Sequence, residues 1–427
     1  MKRTVLIALA SAALAVAAHQ DDDAPVEPRW WKGNTHTHTL WSDGHSAPET
    51  VVDWYREHDY DFLVLTDHNH MQTGERWFTV GDNRLQPGDV DELKSTYGDR
   101  AVDMRDWNGH PQMRLQTLTE LQLRFARPGE FLLIPGEEIT CNHRRKTEDG
   151  FHDHPIHVNA INIASSISPR SGESPADLMN AIVRDVNEHA TKHERTVLSH
   201  VNHPIENAAL SAQDIATLTG DRFFEIHNGL RSCPSQAEDD DPSIEDWWDE
   251  ANTIRSKEPA RPLLYGVATD DAHRIDGDPE VQAGRAWIVV RSASLDAASL
   301  IAAMRKGDYY ASTGVDLQDV QVTHEAYTVD VQQREGVRQR VKFLGLREGA
   351  SEAQILKEGT RDPAVYTWRG DEIWVRAKVV SDRPHQNPQH PGEVERAWTQ
   401  PFRRPAAPSE GTEEPGADAA VEEPDGD

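Results

Sequence analysis

Cysteine and positive charge are both scarce in this chain. Two cysteines, Cys141 and Cys233, stand among 427 residues. One disulfide is possible in an oxidising compartment, but neither a disulfide framework nor a cysteine-rich zinc site can hold the fold. Forty-four lysines and arginines face 73 aspartates and glutamates, a formal net charge of -29. Without a basic footprint, a nucleic-acid polymer or an anionic membrane is not the main partner. After the first eighteen residues no apolar run is long enough to span a bilayer. No glycine-rich phosphate loop and no serine nucleophile elbow stands out, so dinucleotide and serine-hydrolase chemistry lack support.

What is present begins with an address. Lys2 and Arg3 precede an apolar run from Val5 to Ala18, and Ala15 and Ala17 suit signal peptidase. Residues 1–18 therefore read as a secretory signal peptide and the protein as exported, periplasmic or secreted, with no membrane insertion after cleavage. At the other end, 404–427 reads as a disordered acidic tail. From 408 onward it has no basic residue and almost no large apolar one, too little to offset the entropy of ordering it.

Between 30 and 314 short apolar runs alternate with helical patterns: "DFLVLTDHN", "FLLIPGEEIT", "IHVNAINI", "RTVLSHVNHP", "FFEIHNG", "PLLYGVATDDAH" and "RAWIVV". This rhythm predicts an α/β fold of parallel β/α units. "SAPE" at 46–49 predicts a capping box with Val51, Val52 and Tyr55 as the apolar stripe behind it, and "SPAD" at 174–177 a weaker one. A polar, tryptophan-containing insertion spans 74–129 and ends in a helix around 115–125; such an insertion serves as a lid or wall of a site. From 315 to 403 the pattern turns to β alternation, as in "RVKFLG" and "EIWVRAKVV", predicting a small β domain.

In an extended segment, alternate side chains share a face, so "HTHT" points His36 and His38 the same way. One His-x-His pair among 21 histidines says little by itself. Here, however, histidines and acids recur where the predicted strands end, the place where β/α folds put their chemistry. Asp43 follows "HTHTLWS", His68 ends "FLVLTDH", Glu138 ends "FLLIPGEE", His157 opens "HVNAINI", His203 lies in "LSHVNHP", and Asp271 and His273 close "GVATDDAH". Mixed imidazole and carboxylate sets suit zinc, manganese or iron.

The ordered series "HTH", "SDG", "TDHN", "GEE", "IHV", "NHP" and "DAH" resembles the PHP superfamily of metal-dependent hydrolases, over roughly 31–314. "RKGDYYASTG", the stretch from "SDG" to "TDHN" and the late "ERAWTQPF" look like its exported, carbaryl-hydrolase-like branch. The resemblance implies a distorted seven-unit β/α barrel with two or three divalent ions, zinc first, manganese or iron as the other choices. By motif, His36, His38, Glu138 and Asp271 would hold one ion. Glu138 would bridge to a second held by His157 and His203, and Asp43, His68 and His273 would hold a third. Glu138, Asp271 and His203 are the residues assigned to catalysis. Glu137, His200 and Asp270 remain alternatives to Glu138, His203 and Asp271, and Asp67 is a candidate to orient a neighbouring imidazole.

His70, His143, His152 and His154 read as solvated, with "HRRKTEDGFHDH" a polar loop; Cys141 reads as structural, and "STG" at 312–314 as a turn. Clustered dications activate water for hydrolysis. A small phosphomonoester or nucleotide is the expected anionic substrate. A carboxyl ester, carbamate or amide is the alternative, and a metal-dependent binding protein without turnover comes last.

Overall fold

The computed structural model describes residues 27–147, 150–206, 209–233, 242–275 and 282–407, with the side chains of 145–147, 151 and 152 left aside. Residues 1–18, read above as a signal peptide, and the stretch beyond 407 lie outside the described residues.

Thirteen strands form one mixed sheet. It runs from Tyr265–Thr269 through Phe223–Asn228, Leu198–Val201, Gly150–Ile161, Leu132–Thr147, Phe62–Leu65 and Arg29–Asn34 to Trp287–Ser292 and Tyr309–Ser312. Val394–Thr399, Glu372–Pro384, Gln339–Arg347 and Gln354–Gly359 continue it to the far edge. Seven α-helices accompany the sheets among the described residues. Strands such as Phe62–Leu65 and Leu198–Val201 are buried at every position, as sheet covered on both faces requires. Helix Pro48–Glu57 lays Val51, Val52 and Tyr55 against Leu121 and Phe125 of helix Leu118–Phe125, and Pro175–His193 brings Leu178, Ile182, Val183 and Val186 to the sheet. Each such fully buried side chain contributes roughly 1.5–3 kcal/mol.

The parallel rhythm holds from Arg29–Asn34 to Leu132–Thr147 and from Leu198–Val201 to Tyr265–Thr269. It breaks at Gly150–Ile161, which is antiparallel to both neighbours. The chain turns straight back there, and the stretch read as a polar loop is a hairpin in which His143 faces His154. Backbone pairing needs no apolar side chains, so a reading keyed to hydrophobicity cannot see it. Across the sheet, Thr37 bridges in parallel to Ala272, and the Asp271 N–H donates to the His36 carbonyl at 3.0 Å. The ends of the Arg29–Asn34 and Tyr265–Thr269 strands thus meet beside the histidines.

The caps divide. Ser174 accepts the Asp177 N–H as expected, and helix Leu118–Phe125 starts later than its pattern suggests because Thr117 and Glu120 form the box. "SAPE" forms no box: the cap residue is Ala47, and the Ser46 hydroxyl accepts the N–H of Ile275 instead. Glu49 is left buried, and burial pushes its carboxyl up to about 7.

Trp77–Thr79, Met104–Trp107 and His110–Arg114 make a three-stranded sheet of their own beside helix Pro87–Tyr97. In the C-terminal part a second three-stranded sheet, Leu317–Val322, Ala326–Val331 and Ala364–Thr367, shares a core of Tyr327, Phe343, Tyr366 and Val379 with the large one. Cys141 and Cys233 are buried and unpaired. Among the described residues no helix is long and apolar enough to cross a membrane.

Candidate metal centre

The "HTHT" segment leaves its strand with threonines as anchors. The Thr37 N–H donates to Thr66 Oγ1 at 3.0 Å, and the Thr39 N–H to Asp67 Oδ1 at 2.8 Å. His36 and His38 turn inward with their Nε2 atoms 3.2 Å apart. Just beyond, Leu40 and Trp41 plug the core of the inserted unit beside Leu85, Leu93 and Met113, and the Trp41 indole donates to Gln116 O. Gly44 lies against this segment; a Cβ there would sit 2.6 Å from Thr39 N and 2.7 Å from His38 C. Gly44→Ala is therefore expected to push His38 out of place and cost ~1–3 kcal/mol. Thermal unfolding together with metal content checks it, and wild-type values for both would refute it.

Glu138 occupies the middle. Its Oε1 lies 3.4 Å from His36 Nε2, 3.1 Å from His157 Nδ1 and 3.4 Å from His203 Nε2. Its Oε2 lies 3.3 Å from His38 Nε2 and 3.0 Å from His68 Nδ1. Asp271 Oδ1 adds contacts of 3.2 Å to His36 and 3.1 Å to His38. Towards the surface, Asp43 reaches His68 and His273 at 3.4 Å each and His38 at 3.6 Å. All nine residues singled out in the sequence thus meet. Their ligand atoms fall into overlapping groups: His36, His38 and Asp271; His36, Glu138 and His203; His68, Glu138 and His157; and His38, Asp43, His68 and His273. His203 and Asp271 hold positive φ, 23° and 49°, a strain that persists only where surrounding structure enforces it.

The sequence reading missed the supporting groups. Glu225 accepts from His36 Nδ1 (2.7 Å), the His203 N–H (2.7 Å), Thr269 Oγ1 (2.6 Å) and Asn228 Nδ2 (2.8 Å). Glu206 lies 2.9 Å from His203 Nδ1. The Asn202 amide donates to Glu138 and that of Asn228 to Asp271. A carboxylate on Nδ1 leaves the Nε2 lone pair for an ion. Asp67 reaches no imidazole directly; it accepts from Thr39, Gln72 and Ser42, and Ser42 Oγ stands 3.3 Å from His38 Nδ1.

The neighbouring alternatives face elsewhere. Glu137 accepts the Ile167 N–H, and burial pushes its carboxyl up to about 7. His200 contacts Thr35 Oγ1, and burial takes its imidazole down to about 4. Asp270 accepts from Tyr55 and from the N–H groups of Gly284, Arg285 and Ala286. His70, His143 and His154 join none of the groups, and the His152 side chain lies outside the described ones. Ser312 Oγ accepts the Gly314 N–H, closing the "STG" turn.

The cluster calls for cationic charge. Burial alone would strip the proton from His36, yet Asp271, Glu138 and Glu225 hold its pKa well above the ordinary range. Burial opposes ionisation of Glu138 too, but His68, His36 and His157 hold it well below. Glu138 Oε2, Asp271 Oδ1 and His157 Nδ1 are buried without a hydrogen bond, an expense a native site bears when an ion satisfies them. These His, Asp and Glu groups fit divalent metal, and together they define a candidate metal centre.

No family model matches the chain, and no curated protein matches it in sequence. Among solved structures it is similar to a two-domain protein from Bacteroides vulgatus containing a predicted PHP-like metal-dependent phosphoesterase. Identity there is 16%, with 87% of this chain and 95% of that one covered and a TM-score of 0.40. A candidate metal-dependent phosphoesterase from Bifidobacterium adolescentis follows at 15% identity, with 58% and 90% covered and a TM-score of 0.29. An amidohydrolase from Chromobacterium violaceum, with bound sulfate and no metal, shows 13% identity, 56% and 87% coverage and a TM-score of 0.25.

Proposed function

We propose that this protein is an exported, PHP-type metal-dependent hydrolase whose clusters hold two or three divalent ions and whose substrate is a small phosphomonoester or nucleotide. The observation that carries this is one buried carboxylate, that of Glu138, faced by five imidazoles within 3.4 Å. We read the Thr37–Ala272 bridge as the closure of seven strands into a distorted barrel with the site at its mouth. The signal-peptide pattern of residues 1–18 supports export, and the late "ERAWTQPF" supports the carbaryl-hydrolase-like branch.

Divalent ions held by His36, His38, Glu138, Asp271 and their neighbours would supply a water made nucleophilic near neutral pH, at a pKa of about 7, and would draw charge from the oxygens of the bond attacked. The chain's own groups do the rest. Glu225 and Glu206 fix the imidazoles of His36 and His203, Asn202 and Asn228 orient the two carboxylates, and Leu40 and Trp41 anchor the loop that carries Asp43.

Occupancy decides the substrate class. Three dications would bring six positive charges against the three carboxylates at the ligand positions, Asp43, Glu138 and Asp271, so the floor stays cationic even after the nucleophile's own negative charge is counted, and it suits a phosphate. Two dications would leave it neutral on the same count, which suits a neutral ester, carbamate or amide. Elemental analysis of purified protein, run beside a panel of aryl phosphates and aryl esters, is expected to give three transition-metal ions and phosphatase turnover lost on chelation. Full activity after chelation would overturn the reading, and esterase activity with two ions would transfer it to the alternative.

A further inference from the structure

At the opposite end of these strands the charge reverses. Arg222 immediately precedes Phe223–Asn228, whose other end carries the Asn228 that holds Asp271. Six strand residues put the two ends about 20 Å apart. Around Arg222 a cleft of about 390 Å³ is lined by Arg222, Arg255, Arg261 and Arg305, with Asp221 the one carboxylate among its lining residues.

Arg222, Arg255 and Arg305 spend their hydrogen bonds on backbone carbonyls, which satisfy donors without neutralising charge. Arg255, 2% exposed, donates to Pro262 O, Ala216 O and Leu218 O. Arg305 donates to Val197 O and Arg222 to Arg305 O. The carboxylates within reach are poorly placed: Asp221 stands 4.0 Å from Arg305 and already accepts the Ser199 and Arg222 N–H groups, and Glu258, 3.6 Å from Arg261, is largely exposed. Burial and repulsion from Arg261 and Arg222 pull the Arg255 guanidinium down to about 10. A chain of net charge -29 has no shortage of acids with which to neutralise such a cluster, yet this one keeps its excess positive charge.

We propose that this cleft is a binding site for a small tetrahedral oxyanion of the phosphate class, separate from the metal centre. Guanidinium forks match the geometry and charge of phosphate oxygens, and the partly buried setting screens them less than open surface would. The proposal stands whether or not the metal centre hydrolyses phosphoesters, and the experiment keeps the two apart.

Inorganic phosphate is titrated calorimetrically, at constant ionic strength, into wild-type protein, Glu138→Gln and the double variant Arg261→Gln/Arg305→Gln. Phosphate binding is expected to persist in Glu138→Gln and to weaken at least tenfold at this site in the double glutamine variant. Arg261→Lys/Arg305→Lys, which keeps the charge, is expected to retain most of it, with circular dichroism verifying that each variant is folded. The proposal is overturned if Glu138→Gln abolishes all phosphate binding, if the glutamine pair leaves binding unchanged, or if the lysine pair loses as much as the glutamine pair.

Discussion

Glu138→Gln is expected to lose bound metal and to lower turnover by more than 100-fold, while Glu137→Gln stays within a few-fold of wild type. The glutamine keeps the volume and one acceptor for Asn202 but removes the charge that five imidazoles surround. Losing a group that only supports a ligand typically costs ~10 to 100-fold, and a carboxylate placed between several ligand groups should cost more. Glu137 is the matched control: it is the adjacent glutamate and also buried, but aimed at the Ile167 N–H. Metal content, steady-state rates and melting temperatures of both variants decide it. If Glu137→Gln abolishes binding while Glu138→Gln stays active, the central role passes to Glu137.

The second large effect belongs to a residue that ligates nothing in this scheme. Glu225→Gln should weaken metal binding by ~10 to 100-fold. Each Glu225 oxygen accepts two donors: His36 Nδ1 and Thr269 Oγ1 on one, the His203 N–H and Asn228 Nδ2 on the other. An amide nitrogen in either position confronts two donors with a third, and in the first it also takes from His36 the acceptor that fixes its tautomer. Metal titration with unfolding as a control checks this. An unchanged metal affinity would show that packing alone orients His36.

Those two residues also mark what the sequence could and could not reveal. Glu138 was visible because ligands gather in short motifs beside strand ends, so a one-dimensional pattern carries a three-dimensional cluster. Glu225 was not, because it lies in a strand buried at all six positions, where a lone acid has no periodic signature. Glu206 was within reach: it follows His203 by three residues, and the turn between them, with the Glu206 N–H on the His203 carbonyl at 2.9 Å, brings the two side chains together. "SAPE" misled because the Ser46 hydroxyl is claimed by the N–H of Ile275, 229 residues away, and local propensity cannot anticipate a distant competitor. The hairpin after Glu138 escaped notice because polar side chains clothe it, although its backbone pairs through to Thr147 and Gly150.

The position of Val394–Thr399 governs how the molecule can be made and cut. This strand lies between Tyr309–Ser312 and Glu372–Pro384, paired with both, and buries Ala397 and Trp398. Every chain that stops short of this strand therefore carries two open edges in place of a finished seam. Unpaired rows of N–H and C=O groups recruit strands from other molecules, so a prematurely terminated or clipped copy is a seed for aggregation. Trimming the gene to the metal-binding part would create that species deliberately.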